Sequence, residues 1–275
     1  MQLPKLLSRN NPRLSKKDFG SLLLIAGSPT MLGAAALCSR AAMRWGAGLV
    51  TAAVPKSLNL TLQKKIAHVV MTMPLPQTSQ GFFSFQAYAP LRKVWDRFDV
   101  VAIGPGIGRD ASTLKLARQV ILECPKPLVV DADALFALAQ DIHLLGKAKG
   151  KRLLTPHAGE MARLAGHPIL DKDNVRRKEA SCFALCHGCV VVLKGHHTVV
   201  ASSDGKIYVN RTGNVGMATA GSGDVLCGMI TAFLGQGMSA FDAARYGVYY
   251  HGKAGDRAAK KHGKLGMIAT DLYEF

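Results

Sequence analysis

The chain has 275 residues, with 35 Lys and Arg against 18 Asp and Glu for a formal net charge of +17; 48% of its residues are hydrophobic and 28 are glycine. That length suits one large or two small domains of roughly 100–200 residues each, and the apolar content excludes global disorder. No apolar run reaches the ~18 residues of a membrane span, so no membrane partner is expected.

The first 17 residues carry Lys5, Arg9, Arg13, Lys16 and Lys17 and no acid, a composition similar to a transit peptide. Pro4 and Pro12 interrupt any amphipathic helix there, and no apolar signal core follows. The segment is therefore read as a mature N-terminus and the protein as cytoplasmic.

Beyond it, β-branched apolar runs alternate with helical patterns. Strands are expected over 22–26, 49–54, 69–73, 100–103, 128–131, 152–155, 190–193, 199–202 and 206–210. Helices are expected over 32–45, 111–123, 134–140, 158–164, 174–187, 222–234 and 239–260. Continuous apolar strands between helices predict an α/β fold: a central, mostly parallel sheet with helices on both faces. The turn Ser202-Ser203-Asp204-Gly205 predicts a hairpin and so an antiparallel edge. Residues 74–90 (PLPQTSQGFFSFQAYAP) are irregular and read as a surface loop or lid. With no linker or repeat, residues 1–275 read as a single domain.

Six cysteines form no disulfide framework. Cys182, Cys186 and Cys189 stand in the C-x3-C-x2-C spacing of radical-SAM clusters. The preferred reading puts Cys182 and Cys186 on a helix, sharing a buried stripe with Val175 and Phe183, and Cys189 at the start of the next strand. Lys and Arg are scattered, and the longest cluster is Arg176-Arg177-Lys178. No zinc-finger spacing or aromatic RNA-binding motif joins them, so anionic small molecules rather than nucleic acid are the expected partners.

In such sheets ligands sit beyond the carboxyl ends of strands, and here those ends carry unusual chemistry. Gly221-Ser222-Gly223-Asp224 opens a helix: glycines admit a ligand to the backbone, the helix amides favour phosphate, and Asp224 is placed to take a proton from an attacking hydroxyl. The turn 104–108 (GPGIG) approaches a dinucleotide fingerprint, with Asp131 as ribose ligand, but Arg109 stands where the last glycine belongs. A tight, substrate-facing turn is preferred. Lys194 ends a buried strand where it can face phosphates, and His196 and His197, adjacent, are expected to point apart. His157 and Glu160 open a helix, facing one cleft or capping it; Glu160 can reach Mg²⁺ through water.

The order KKDFGSLLLIAGS, LGAAAL, RWGAGLVT, VVAIGPGIG, PLVVDADAL, LLTPHAGE, VVLKGHHTVV and TAGSGDVLCGMI resembles the ADP-dependent (S)-NAD(P)H-hydrate dehydratases of the ribokinase-like superfamily, from about Lys17 to the C-terminus. The resemblance implies that hydrated NADH or NADPH is restored with ADP and Mg²⁺, giving AMP and phosphate. It implies that Asp224 is the catalytic base; that Ala34, Gly106, His157 and Asp224 contact the hydrate; and that Lys194, Gly195, His196, His197, Thr198, Gly221, Ser222 and Gly223 bind the nucleotide. It further implies a homotetramer paired with a separate NAD(P)H-hydrate epimerase, whose domain has no counterpart here. The alternative is an ATP-dependent kinase of a thiazole or pyrimidine vitamin precursor on the same fold. Those kinases carry N-x-x-E where this chain has His157-x-x-Glu160. Departures from the family pattern are Ala26 before Gly27, Met31-Leu32 in place of Tyr-Thr, Ala158 in place of proline and Ser222 in place of threonine.

Overall fold

The computed structural model describes Pro4, Leu7 and residues 11–66 and 68–273. Lys5 and Arg9 of the basic N-terminal segment lie outside the described residues. Alternation of period two builds the centre of the molecule: Leu22 and Leu24 turn to one face of strand β1 (Ser21–Ile25), Leu23 and Ile25 to the other, and all are buried. The other strands are β2 (Leu49–Pro55), β3 (Met71–Leu75), β4 (Val100–Ile103), β5 (Leu128–Val130), β6 (Arg152–Leu154), β7 (Val190–Leu193), β8 (Val199–Ser202) and β9 (Ile207–Val209), and the alternation recurs in the inner ones, β2 and β4 through β8. One sheet takes them in the order β3-β2-β1-β4-β5-β6-β7-β8-β9. Pairings from β3 through β7 are parallel, and β7-β8 and β8-β9 are antiparallel. All nine expected strands are present; β3 lies two residues later than expected because 68–69 form a turn with Val69 exposed.

Ten helices are described: α1 (Leu32–Arg44), α2 (Asn59–Lys65), α3 (Tyr88–Arg92), α4 (Ala111–Glu123), α5 (Ala132–Ala139), α6 (Leu144–Lys147), α7 (Ala158–Ala165), α8 (Asp173–His187), α9 (Ser222–Gly235) and α10 (Ala240–Gly266). Residues of α1, α9 and α10 bury one face of the sheet, and residues of α4, α5, α7 and α8 bury the other. Among the described residues no helix is long and apolar enough to cross a membrane.

Two expectations are corrected. The buried side of α8 is Arg176, Ala180, Phe183 and Ala184, while Cys182 and Cys186 are exposed. The stripe is turned because an arginine, which hydropathy assigns to solvent, occupies its first buried position. Residues 74–90 are not a loose loop: β3 runs to Leu75, Gln77 bridges Phe83, and α3 follows. Fully buried Phe83 offers its carbonyl to Thr113 Oγ1 at 2.8 Å, and the Phe85 N–H donates to Ser112 Oγ at 2.7 Å, fastening the segment to the start of α4.

Candidate active site

Strand order reverses between β1 and β4, with α1 after β1 on one face and α4 after β4 on the other, the place where such sheets form a ligand crevice at their carboxyl ends. The loops leaving β1 and β4 are tied to each other, the Gly27 N–H donating to the Pro105 carbonyl at 2.8 Å. Gly106 has φ +62, and a Cβ there would lie 2.8 Å from Ala34 Cβ and 2.7 Å from the Met31 carbonyl. Only glycine lets this turn lie on the start of α1, and the contact brings Ala34 and Gly106 together. Asp133 pins the far side by accepting from the Gly108 N–H and Arg109 Nε, each at 3.0 Å. The arginine that spoils the dinucleotide fingerprint is thus part of the turn's own fastening.

A charged cluster lies beside this crevice. Asp131, buried at the end of β5, accepts from Thr155 Oγ1 at 2.7 Å and from Lys194 Nζ at 2.9 Å. Lys194 Nζ is 3.9 Å from Glu160 Oε2, and a Cβ at Gly223 would lie 3.4 Å from it. Burial pushes the Lys194 pKa down, but the Asp131 and Glu160 carboxylates outweigh it and hold the group above the ordinary lysine value. Asp224, half-buried in the first turn of α9, is pushed up to about 7 by burial first and the Asp131 charge next, with Lys194 pulling the other way. A carboxyl that titrates near neutrality in a cleft is poised to exchange protons.

The helices here begin in contrasting ways. His157 Nδ1 accepts from the Gly159 and Glu160 amides at 3.0 and 3.3 Å, and Glu160 Oε2 accepts from the His157 amide at 2.8 Å, closing a capping box on α7. That fixes the imidazole, whose half-exposed Nε2 edge, 3.5 Å from Glu160 Oε1, is the part not taken by the helix amides. At α9, Gly221 takes φ +89 and no side chain caps the helix. A Cβ at Gly221 would lie 2.4 Å from Leu37 Cδ1. Ser222 Oγ lies 3.4 Å from Nε2 of buried His251, whose pKa falls to about 4 through burial, with the Lys194 charge adding to the drop. His251 is therefore neutral around pH 7.

The chain preceding α9 rests on α10. Thr212 Oγ1 donates to the Tyr249 carbonyl at 2.9 Å, Asn214 Nδ2 to the Gly255 carbonyl at 2.9 Å, and the Gly213 N–H to Asp256 Oδ2 at 3.2 Å. Thr212 falls in the stretch 210–217 (NRTGNVGM), whose Gly and Asn the sequence marks as a flexible extension of the anion-cradling loop, whereas His251 and Asp256 were missed; the signal available for them was the run HGKAGD (251–256), whose small residues leave room on a helix face. Asp131 it named only as a ribose ligand, although a carboxylate directly after an all-apolar strand has to find a partner in the fold.

Thr198 Oγ1 closes the 194–198 loop, donating to the Gly195 carbonyl at 2.9 Å and accepting from its N–H at 3.3 Å. His196 and His197 do not point apart: their rings pack at 3.8 Å between centroids. Both follow the end of β7 rather than continuing it, and His197 is in the left-handed region at φ +53, so strand alternation does not apply. Among the described residues no group of three or more His, Cys, Asp or Glu could hold a metal ion. The carboxylates are instead interleaved with Lys194. That donor set fits Mg²⁺ carried in on nucleotide phosphates with most of its waters, not a dedicated protein cage.

Comparison with known proteins agrees with this geometry. A family model described as NAD(P)H-hydrate dehydratase matches residues 22–275. A bifunctional NAD(P)H-hydrate repair enzyme of Moorella thermoacetica is 46% identical over 269 residues, which are 98% of this chain and 51% of that protein. The chain thus spans about half the length of several such relatives. An ADP-dependent (S)-NAD(P)H-hydrate dehydratase of Neisseria meningitidis is 37% identical, covering 94% of this chain and 83% of its own. Among solved structures, a ribokinase-like superfamily protein of Enterococcus faecalis superposes with a TM-score of 0.81 at 26% identity, over 98% of this chain and 89% of that one. An ADP/ATP-dependent NAD(P)H-hydrate dehydratase of Bacillus subtilis, co-crystallised with ATP/Mg²⁺, gives 0.82 at 28% identity, over 98% and 91%. The fold is ribokinase-like, and the chain belongs to the NAD(P)H-hydrate dehydratase family.

Proposed function

We propose that this chain uses ADP to dehydrate the S epimer of hydrated NADH or NADPH, returning NADH or NADPH with AMP and phosphate. The observation that carries the reading is Asp224: a half-buried carboxyl titrating at about 7 on the first turn of an uncapped helix, beside the ammonium of Lys194. Asp224 takes the proton of the C6 hydroxyl as that oxygen attacks the β-phosphorus of ADP, and AMP leaves. The phosphate then departs from C6, driven by the ring nitrogen lone pair, and loss of a C5 proton restores the double bond.

In this reading Ala34, Gly106 and the Nε2 edge of His157 contact the hydrate. The 194–198 loop holds the AMP part of ADP, and the amides of Gly221, Ser222 and Gly223 face the transferring phosphoryl group, where fixed N–H donors stabilise developing charge. Mg²⁺ borne by the nucleotide would supply charge neutralisation there, with Glu160 the residue that would reach it through water. His157 in place of asparagine separates this reading from a vitamin-precursor kinase on the same fold. A homotetramer in the cytoplasm, working with a separate epimerase, completes the proposal.

The test is the near-ultraviolet absorbance of the dihydronicotinamide ring, followed with NADH hydrate, Mg²⁺ and either ADP or ATP. A rise that requires ADP supports the reading. A flat trace with both nucleotides, together with phosphorylation of a thiazole or pyrimidine alcohol, overturns it.

A further inference from the structure

Arg176, in the first turns of α8, is a buried cation whose charge the site described above leaves unexplained. It is 2% exposed, yet no carboxylate bonds it: Asp171 Oδ1 stands off at 3.8 Å on a side chain that is 86% exposed. Its Nη atoms donate instead to two backbone carbonyls, Leu193 at 3.2 Å and His196, one on each side of Gly195. Among the described residues Nε has no hydrogen-bond partner. Gly195 is what allows the approach, since at its φ of +149 an added Cβ would lie 2.6 Å from Nη2.

The consequences reach the far side of the loop. Because the His196 carbonyl turns onto the guanidinium, the N–H of His197, trans to it across the same peptide plane, points away from Arg176. The helix makes a second attachment at Asp173, whose Oδ2 lies 2.9 Å from His197 Nδ1 and helps hold that residue at φ +53. The result is a buried positive charge, met by Asp171 only at 3.8 Å and by the neighbouring charge of Asp173, beneath a loop that turns an amide outward; charge and amide both favour an anion on the loop's open face.

We propose that Arg176 is a positioning residue for the nucleotide: it shapes the 194–198 loop and backs it with fixed positive charge, so that the loop receives the AMP part of ADP. The inference rests on the reading above that this loop takes ADP. It concerns binding of the nucleotide, not the hydrate or the proton transfer at Asp224.

Three variants test it: Arg176→Met removes donors and charge, Arg176→Lys keeps the charge with fewer donors, and Gly195→Ala disturbs the same contact from the loop side. Arg176→Met raises the KM for ADP by about tenfold or more, the loss expected for charged hydrogen bonds. Its kcat and its KM for NADH hydrate stay within about twofold of the parent. Arg176→Lys falls between parent and Met, and Gly195→Ala also raises the KM for ADP. Should Arg176→Met fail to fold, the Lys and Ala variants carry the test. If Gly195→Ala raises the KM for ADP and the folded Arg176 variants do not, the role of Arg176 is refuted while the loop keeps the nucleotide. If all three turn over with parental KM for ADP, the assignment of ADP to this loop falls too. Equal rises in both KM values overturn the proposal in favour of a general structural role.

Discussion

Helices α7 and α9 start at the same end of the sheet, and they start in opposite ways. The first turn of α7 is closed by its own side chains, the imidazole of His157 and the carboxylate of Glu160 satisfying the amides at its start. At α9 there is glycine in a left-handed conformation and no capping side chain. Capping contributes about 1 kcal/mol to a helix, so leaving α9 uncapped forgoes stability that α7 keeps. Helices α1, α5 and α8 also start without a side-chain cap, but α9 is the one that carries Asp224 and faces Lys194. Apart from the Ser222 N–H, which donates to the Thr219 carbonyl at 3.3 Å, the first amides there have no side-chain acceptor and suit an incoming anion, whereas α7 uses its polar groups to hold His157 and Glu160 still. One start is built to receive charge and the other to present side chains.

Removing the carboxyl of α9 tests the contrast most severely. Asp224→Asn lowers kcat by about 10²- to 10⁴-fold, the span of general acid–base catalysis, while ADP still binds. Single-turnover rates with NADH hydrate, alongside calorimetric titration of ADP, separate the two; parental rates in this variant would remove Asp224 from the base role. Gly221→Ala attacks the open start itself. Its Cβ meets Leu37 at φ +89, and backbone strain of this kind costs about 1–3 kcal/mol. A lowered melting temperature together with a raised KM for ADP is expected, and no change in either would mean that the uncapped geometry is incidental.

The charge around α9 makes a pH prediction. A base acts deprotonated, so kcat/KM rises with pH through about 7 and then levels. Replacing Asp131 by Asn removes the neighbouring negative charge that ranks next after burial among the causes, and the acidic limb of the profile moves to lower pH. A limb that stays in place would show that Asp131 does not act on Asp224. Stability follows the same shift. The native pKa lies above the ordinary 3.8, so this group's contribution is full below that value and is lost as pH climbs to about 7. Asp224→Asn, which cannot ionise, therefore melts higher than the parent above pH 7 and alike near pH 4.

Continuous apolar runs such as Leu22–Ile25 and Val100–Ile103 made the sheet legible, because its inner strands are buried on both faces and tolerate little else. Local turn chemistry likewise marked the 104–108 turn and the Asp224 turn. Helices α2, α3 and α6 escaped because four to seven residues cannot display a helical period. The partners of the site were hidden for another reason. Asp131 meets Lys194 across 63 residues of chain, and Arg176 is buried only because carbonyls of a loop it does not adjoin in sequence turn toward it. Hydropathy, which is local, assigns both to solvent. His196 and His197 were misplaced by one backbone angle, the positive φ of His197.

The mildest experiment addresses what His157 adds beyond closing α7. Alanine there removes the acceptor of two amides and costs about 1 kcal/mol of stability, an effect that says nothing about substrate. Asparagine is the sharper probe: it caps helices as well as any residue, so His157→Asn is expected to melt within a degree or two of the parent, roughly the span of a few tenths of a kcal/mol in a domain this size. It lacks the imidazole Nε2 edge, the part of His157 that no helix amide occupies and that lies 3.5 Å from Glu160 Oε1. A KM for NADH hydrate raised by about threefold to tenfold, as for one modest hydrogen bond, with the KM for ADP unchanged, assigns that edge to the hydrate. Unchanged KM values in a well-folded His157→Asn would leave His157 a cap and nothing more, and α7 would then contribute to substrate only through the position it gives Glu160.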